Sequence, residues 1–150
     1  PTRSLRSERR KAGPPAPGAD SLSVELPGLA ILLVEDDPTV ARVIVGLLSA
    51  RGHRVVHVLH GLAALAEVTT SSFDVGLLDL DLPALDGLAL ARQLRALAHD
   101  FPLVAVTARS DAYAEAEVLA AGFDGFLRKP VTGDMLVGAI ARARQRRPWP

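Results

Sequence analysis

The sequence lacks cysteine, has few aromatic residues and contains no long apolar run. Without cysteine, disulfide bonds and thiolate metal sites are excluded. No stretch approaches the roughly 18 consecutive apolar residues of a transmembrane helix, and the arginine-rich first residues lack the apolar segment of a secretory signal. Hydrophobic residues nevertheless make up 49% of the 150-residue chain, enough for the core of one compact domain. We therefore expect a soluble protein of the cytoplasm.

Two common ligand-binding patterns are also missing. The histidines show no metal-ligand spacing on a shared element: His53, His57, His60 and His99. We interpret them as surface or helix-edge residues, so a zinc site is not expected. No Gly-x-Gly-x-x-Gly or P-loop pattern follows the first apolar run, which argues against a nucleotide-binding module.

Charge is distributed unevenly along a chain that is neutral as a whole. Residues 1–27 hold five basic and three acidic side chains, and residues 141–150 hold four basic and no acidic ones. The body is acidic, which suits a cation site and disfavours nucleic acid. Basic tails can contact nucleic acid or membrane, but a solvated linker is the interpretation that we favour. We predict a flexible Pro/Arg-rich linker at 1–27, one domain at 28–145 and a tail at 146–150.

Within this domain, short apolar runs alternate with helical patterns. Strands are predicted at 30–34, 54–59, 75–78, 103–106 and 125–128. Helices are predicted from Pro38, with Asp37 as its cap, to Gly52, and then at 61–70, 86–98, 111–121 and 132–144. Strict alternation of this kind predicts an α/β fold in which helices cover both faces of a five-stranded parallel sheet, a three-layer doubly wound arrangement.

Polar residues follow four of these strands. The first strand is followed by the acidic triplet 35–37, the third by Asp79, the fourth by Thr107 and the fifth by Lys129. The carboxyl ends of parallel strands meet at one edge, where ligands bind. An oxygen-only cluster suits Mg²⁺, and a carboxylate beside Mg²⁺ can attack phosphorus to give an aspartyl phosphate. A nearby ammonium adds positive charge for the phosphoryl oxygens.

Each of these residues has an ordinary structural explanation when it is considered alone. Asp37 is more readily a helix cap than a ligand, Asp79 an acid in a turn, and Thr107 the β-branched end of a strand. Lys129 alone is an ordinary solvated charge. The joint occurrence on successive strand ends is what favours a phosphoryl-transfer site.

The motifs resemble the receiver domain of bacterial response regulators over about residues 29–142. The matching segments are Ile31 to Pro38, Gly61 with Ala64-Leu65, Phe73-Asp74, Leu77 to Pro83, Asp86-Gly87, Val104 to Ala108, and Gly122 to Pro130. The resemblance implies a flavodoxin-like sheet with strand order 2-1-3-4-5. It also implies phosphorylation by a histidine kinase or a histidine phosphotransfer protein. Such a domain is not a conventional enzyme, although it catalyses its own phosphorylation and dephosphorylation.

The resemblance assigns a metal site and an acceptor. Asp79 would be the phosphoacceptor and, together with Asp36, a direct ligand of Mg²⁺. Glu35 would act on the metal largely through water, and the backbone carbonyl of Asp81 would be a further ligand.

The resemblance also assigns residues that respond to the phosphoryl group. Thr107 and Lys129 would bind it, and Thr107 with Phe126, in the place of the family's switch aromatic, would change conformation. The side chains of Asp81 and Arg109 would flank it and modulate its hydrolysis, and an ion pair between them could hinder the attacking water.

The parent protein and its assembly stay open at this point. The domain could be a stand-alone regulator, a regulator separated from its effector, or the receiver of a hybrid histidine kinase. The Pro/Arg-rich leader and the absence of an initial Met favour the hybrid kinase, which would be bacterial and could be membrane-anchored. The resemblance suggests a homodimer through the fourth helix, fifth strand and fifth helix, and no contact of this domain with nucleic acid or membrane.

One enzyme class is the main alternative. Asp79-Leu80-Asp81 after an apolar strand is similar to the Asp-x-Asp of haloacid-dehalogenase-like phosphatases, in which Asp79 would be the nucleophile. Two features oppose it. Pro83 stands where that family usually has Thr or Val, and the acidic pair Glu35-Asp36 precedes the lysine instead of following it.

Overall fold

The computed structural model describes residues 28–108 and 114–147 of the chain. The predicted linker at 1–27, Arg109 and residues 148–150 lie outside the described residues. The strands are β1 Ala30–Val34, β2 Arg54–Val58, β3 Val75–Leu78, β4 Leu103–Thr107 and β5 Gly125–Arg128. The helices are α1 Pro38–Ser49, α2 Gly61–Glu67, α3 Gly87–Ala96, α4 Ala114–Ala120 and α5 Gly133–Arg146.

The strands of the described part form one parallel sheet in the order β2-β1-β3-β4-β5. The predicted doubly wound fold and strand order are therefore confirmed. Val34 pairs with Leu78, so β1 and β3 end side by side and the acids that follow them are neighbours. Thr107 pairs with Arg128, which brings the end of β5 to the same edge.

Helices bury apolar side chains on both faces of the sheet. Helices α1 and α5 pack on one face through a cluster that includes Ile44, Leu48, Leu136 and Ile140. Helices α2, α3 and α4 cover the other face through a cluster that includes Ala64, Leu90, Leu94 and Val118. Complete burial of one such aliphatic side chain contributes about 1.5–3 kcal/mol. The two clusters hold the strand ends, and hence the polar edge, in a fixed arrangement.

Polar side chains cap the helices where they begin, close to the polar edge. Asp37 accepts hydrogen bonds from the N–H groups of Thr39 and Val40, which confirms its predicted capping role. Asp86 and Thr132, predicted as the first helical residues, are the N-caps of α3 and α5. Each satisfies backbone donors that have no partner within the helix.

Several element boundaries differ from the prediction by one to three residues. Helix α2 ends at Glu67 and not at residue 70, because the hydroxyls of Thr69 and Thr70 donate to the carbonyls of Ala66 and Glu67. Such hydroxyls compete with the regular helical pattern. Helix α5 continues to Arg146, two residues beyond its predicted end. None of the helices in the described ranges has the length and apolar character needed to cross a membrane.

The interpretation of the histidines as surface or helix-edge residues is wrong for His53, which is buried. His53 is 5% exposed, and its Nδ1 accepts a hydrogen bond from the Leu29 N–H at 3.0 Å. Burial, together with the positive charge of Arg51, lowers the pKa of His53. The ring therefore supplies an acceptor to the backbone where β1 begins, a role that requires the neutral imidazole.

We predict that His53 makes the protein less stable as the pH falls. Its pKa is about 6.5 in the unfolded chain and lower in the fold, so below pH ~6.5 the unfolded state binds the extra proton. The stability contributed above the unfolded pKa is lost as the pH drops towards the folded pKa, by about 1.4 kcal/mol for each unit between the two. Urea unfolding at pH 7.5 and 5.5 measures this loss.

A matched control is His53→Asn, whose side-chain oxygen can accept the same hydrogen bond without titrating. The other histidines contribute equally in both proteins, so the loss of stability should be smaller in the variant. An equal loss in both proteins would show that His53 does not carry the effect.

Candidate functional site

Three carboxylates meet at the edge where β1 and β3 end. Oxygen atoms of Glu35, Asp36 and Asp79 all lie within 4.8 Å of one another. Glu35 is 1% exposed and Asp79 is 5% exposed, whereas Asp36 faces solvent. Carboxylates this close repel one another unless a cation or a proton intervenes. The all-oxygen donor set fits a hard divalent cation such as Mg²⁺.

Lys129 supplies a cation to this cluster from the end of β5. Its Nζ lies 2.6 Å from Glu35 Oε1 and 3.0 Å from Asp79 Oδ2. The Lys129 N–H donates to the Thr107 carbonyl at 2.9 Å, which continues the β4–β5 pairing by one residue. This backbone bond fixes the point from which the lysine side chain reaches the two buried acids.

Burial and the neighbouring charged groups shift the pKa values of Glu35 and Lys129. Burial raises the pKa of Glu35, with a further contribution from the charge of Asp79, although hydrogen bonds from Lys129 and the Asp37 N–H oppose the rise. Burial alone would lower the pKa of Lys129, but hydrogen bonds to Glu35 and Asp79 outweigh it, and the net pKa is raised. Lys129 therefore remains charged at neutral pH and balances only part of the cluster.

The acidic triplet after β1 divides into separate roles. Glu35 is engaged inside the fold, because its Oε2 accepts from the Asp37 N–H at 3.1 Å while its Oε1 contacts Lys129. The Asp37 carboxylate caps α1. Asp36 is the exposed member of the three-carboxylate cluster.

The loop after β3 is fixed tightly around Asp79. The Asp81 N–H donates to Asp79 Oδ1 at 2.9 Å, while Lys129 holds the other carboxylate oxygen. A Cβ atom at Gly87 would collide with the carbonyl oxygen of Asp79, so only glycine lets α3 begin this close to the end of β3. Gly87 was assigned no role from the sequence, although its place in the Asp86-Gly87 segment matched to the receiver family was the available signal.

The predicted switch residues lie on the β4–β5 side of the site. Thr107 is fully buried, and its hydroxyl donates to Asp81 Oδ2 at 3.4 Å. Phe126 is half-buried against the α2–α3–α4 cluster, and the Arg128 guanidinium carbon stands 5.7 Å from the centroid of its ring.

The structure thus brings Glu35, Asp36, Asp79 and Lys129 into contact range and places Thr107 beside Asp81. The predicted partner Arg109 lies outside the described residues.

Comparison with known proteins identifies the family. The family model for the response regulator receiver domain matches residues 31–141, most of the chain. The chain belongs to the response regulator receiver family. This result confirms the resemblance found in the sequence.

The relatives include both response regulators and sensor kinases. Response regulator MprA of Mycobacterium leprae (strain TN) is 37% identical over 122 residues, which cover 81% of this chain and 53% of MprA. Sensor protein TorS of Escherichia coli (strain K12) is 32% identical over 142 residues, which cover 94% of this chain and 16% of TorS. The receiver therefore spans about half of the response regulators that it matches and a smaller share of the sensor kinases.

A solved structure shows the same fold. The receiver domain of the sensor histidine kinase PA1611 from Pseudomonas aeruginosa PAO1 superimposes with a TM-score of 0.71 at 34% identity, over 78% of this chain and 98% of that one. That protein has a magnesium ion coordinated in its active site cleft. The matched proteins are response regulators and sensor kinases, so the phosphatase alternative is not supported.

An apolar groove adjoins the acid cluster of this receiver. A cavity of about 350 Å³ lies between α1 and the segment that follows β5. It is lined by Thr39, Val40, Val43, Ile44, Lys129, Pro130 and Val131. Val43 is 54% exposed in this groove. Lys129 lines the groove and also contacts Asp79, so the groove and the carboxylate cluster are adjacent.

Proposed function

We propose that Asp79 accepts a phosphoryl group from the phosphohistidine of a histidine kinase or a histidine phosphotransfer protein. A carboxylate oxygen of Asp79 attacks phosphorus, the P–N bond breaks, and the imidazole leaves with the electron pair. The observation that carries this proposal is the contact of Lys129 Nζ with Asp79 Oδ2 at 3.0 Å inside the acid cluster. The ammonium that holds the acceptor stands where it can also bind the transferred phosphoryl group.

The metal proposal rests on the donor set and on its imbalance of charge. Asp36 and Asp79 would hold Mg²⁺ directly, and the backbone carbonyl of Asp81 would complete the protein ligands. Both oxygens of Glu35 already have protein partners, which supports its action through water. Bound Mg²⁺ would neutralise phosphoryl oxygens during transfer. The magnesium ion of the PA1611 receiver supports this assignment.

The switch proposal follows from the burial of Thr107. Phosphorylation would draw its hydroxyl to a phosphoryl oxygen through a charge-assisted hydrogen bond. The Phe126 ring would fill the space vacated beside β4, and its contact with Arg128 on the outer face would change with it. Since Phe lacks a hydroxyl, the preference of the Phe126 ring for the vacated space would come from packing. The surface of α4, β5 and α5 would thereby change shape.

The hydrolysis proposal concerns the mouth of the site. The Asp81 side chain is exposed, so it can lie along the path of an attacking water. Its pairing with Arg109 stays a prediction, because Arg109 lies outside the described residues.

The donor protein would dock on the apolar groove beside Lys129. A histidine that reaches Asp79 must cover this edge of the receiver, and an apolar surface adjacent to the acceptor favours a partner with an apolar face. The exposure of Val43 supports this, since a half-exposed β-branched side chain gains burial when a partner binds.

Self-association is proposed on a different face. The surface of α4, β5 and α5 exposes Leu119 beside the oppositely charged Glu115 and Arg146, which also line one cavity. A two-fold axis could pair these charges reciprocally around the apolar side chain. This arrangement supports a homodimer through that face.

We predict that Asp79→Asn abolishes phosphorylation. Acetyl phosphate with Mg²⁺ should add one acid-labile, hydroxylamine-sensitive phosphate to the parent, visible by intact-mass analysis, and none to the variant. The matched control is Asp86→Asn, which should still label because Asn also caps helices well. Full labelling of the Asp79→Asn protein would show that another residue is the acceptor.

The second prediction separates the neighbouring acids Asp36 and Asp37. Asp36→Ala should weaken Mg²⁺ binding, measured by isothermal titration calorimetry, more than Asp37→Ala does. Asp37→Ala should instead lower the free energy of unfolding by about 1 kcal/mol, because α1 loses its cap. Equal Mg²⁺ affinities in the two variants would contradict this division of roles.

The third prediction tests the docking groove. Val43→Asp should slow phosphotransfer from a phosphohistidine-bearing donor protein by about tenfold, if placing a charge in the interface costs about 1.4 kcal/mol. Labelling by acetyl phosphate should not change, because Asp79 itself is intact. The control Leu62→Asp makes the same change at a side chain that is 67% exposed on α2. An equal loss in the control, or a loss with acetyl phosphate, would argue against docking at the groove.

A further inference from the structure

The Thr107 hydroxyl has a defined partner in the absence of a phosphoryl group. Thr107 is fully buried, so its hydroxyl must be satisfied inside the protein. It donates to Asp81 Oδ2 at 3.4 Å. The Thr107 backbone is fixed by its pairing with Arg128 and by the bond from the Lys129 N–H. The hydroxyl can therefore change partner only by rotation of the side chain.

Asp81 joins this hydroxyl to the acceptor. Its backbone N–H donates to Asp79 Oδ1 at 2.9 Å while its carboxylate reaches across to Thr107. One residue thus contacts the proposed acceptor through its backbone and the proposed switch through its side chain. A change at Asp79 therefore reaches Thr107 through a direct contact at each step.

The contact between Thr107 and Asp81 is weak enough to be exchanged. Its 3.4 Å separation exceeds the usual range of about 2.5–3.0 Å for a hydroxyl donor. A phosphoryl oxygen offers a shorter, charge-assisted hydrogen bond. The negative charge of a phosphoryl group on Asp79 would also repel the Asp81 carboxylate. Both effects favour release of the hydroxyl from Asp81.

We propose that the Asp81 carboxylate holds Thr107 in its resting rotamer, and that phosphorylation makes the hydroxyl exchange Asp81 for the phosphoryl group. This inference rests on the proposed role of Asp79 as acceptor. Asp81 is then a positioning residue that acts through Thr107 and sets how readily the receiver switches. Its role differs from the modulation of hydrolysis, which concerns the attacking water.

The first test needs no phosphoryl group. Three-bond couplings to the Thr107 methyl carbon, measured by NMR without Mg²⁺ or phosphate, report the rotamer of its side chain. Asp81→Ala should shift this rotamer towards the one that the parent adopts with beryllofluoride. The matched variant Asp81→Asn keeps an acceptor oxygen and should stay close to the resting parent. An unchanged rotamer in Asp81→Ala would overturn the proposal.

The second test separates the hydrogen bond from simple charge repulsion. Removing the Asp81 charge favours any anion at Asp79, so beryllofluoride affinity at saturating Mg²⁺ is compared in two backgrounds. Asp81→Ala should tighten binding about threefold more in the parent than in the Thr107→Val background, where no hydroxyl remains to be released. Equal tightening in both backgrounds would leave only charge repulsion.

The two tests distinguish failure of this proposal from failure of the proposed function. If Asp79 is not the acceptor, beryllofluoride will not bind there and acetyl phosphate will not label it. In that case Asp81→Ala would still be expected to change the resting rotamer of Thr107. If Asp79 labels normally and the rotamer does not respond to Asp81→Ala, the contact between Thr107 and Asp81 has no role in switching.

Discussion

The structure depends on one ammonium group, Lys129 Nζ, which lies between two buried carboxylates. Glu35 and Asp79 follow adjacent parallel strands, so the pairing of β1 with β3 forces their charges together. Two ionised carboxylates removed from water would destabilise the fold strongly without a cation. Lys129 supplies this cation, because its Nζ lies 2.6 Å from Glu35 Oε1 and 3.0 Å from Asp79 Oδ2. The lysine can reach both acids because β5 pairs with β4 as far as Arg128, the final residue of β5. The fold and the chemical site therefore rest on the same strand register.

The incomplete neutralisation of the three carboxylates by one lysine suits the proposed binding of a divalent cation and a phosphoryl group. One lysine faces Glu35, Asp79 and the nearby Asp36, and the raised pKa of Glu35 reflects its burial and the remaining negative charge. A site neutralised by a second lysine would have little affinity for a divalent cation. A site without Lys129 would repel an incoming phosphoryl group. With one ammonium among these carboxylates, the proposed metal ion and phosphoryl group would each offset the charge of the other.

The sequence predicted the strands and the polar edge better than the contacts within them. The bounds of β1, β3 and β5 agree with the prediction, because in each of them a short apolar run is closed by a charged residue, Glu35, Asp79 or Arg128. The burial of His53 was not predicted, because its role is to accept a hydrogen bond from the Leu29 N–H. The hydrophobic periodicity of the sequence cannot reveal such a contact. The role of Gly87 depends on the approach of α3 to Asp79, a distance that only the assembled sheet defines. For the same reason, the strand ends indicated Thr107 and Asp81 separately but not their contact.

Hydrogen bonds at the opposite edge of the sheet, where β4 and β5 begin, limit where a change of shape can occur. There the buried carboxylate of Asp124 accepts hydrogen bonds from the Leu103 N–H and from the guanidinium groups of Arg95 and Arg147, all close to 3.0 Å. These bonds tie the ends of α3 and α5 to the turn between α4 and β5, and Arg95 also binds the Gly122 carbonyl in that turn. Charged hydrogen bonds of this length, largely shielded from water, resist exchange more than the 3.4 Å contact of Thr107 does. A rearrangement that starts at Asp79 would therefore act on helices held at their far ends, and the movement would fall on the edge where the phosphoryl group is proposed to bind.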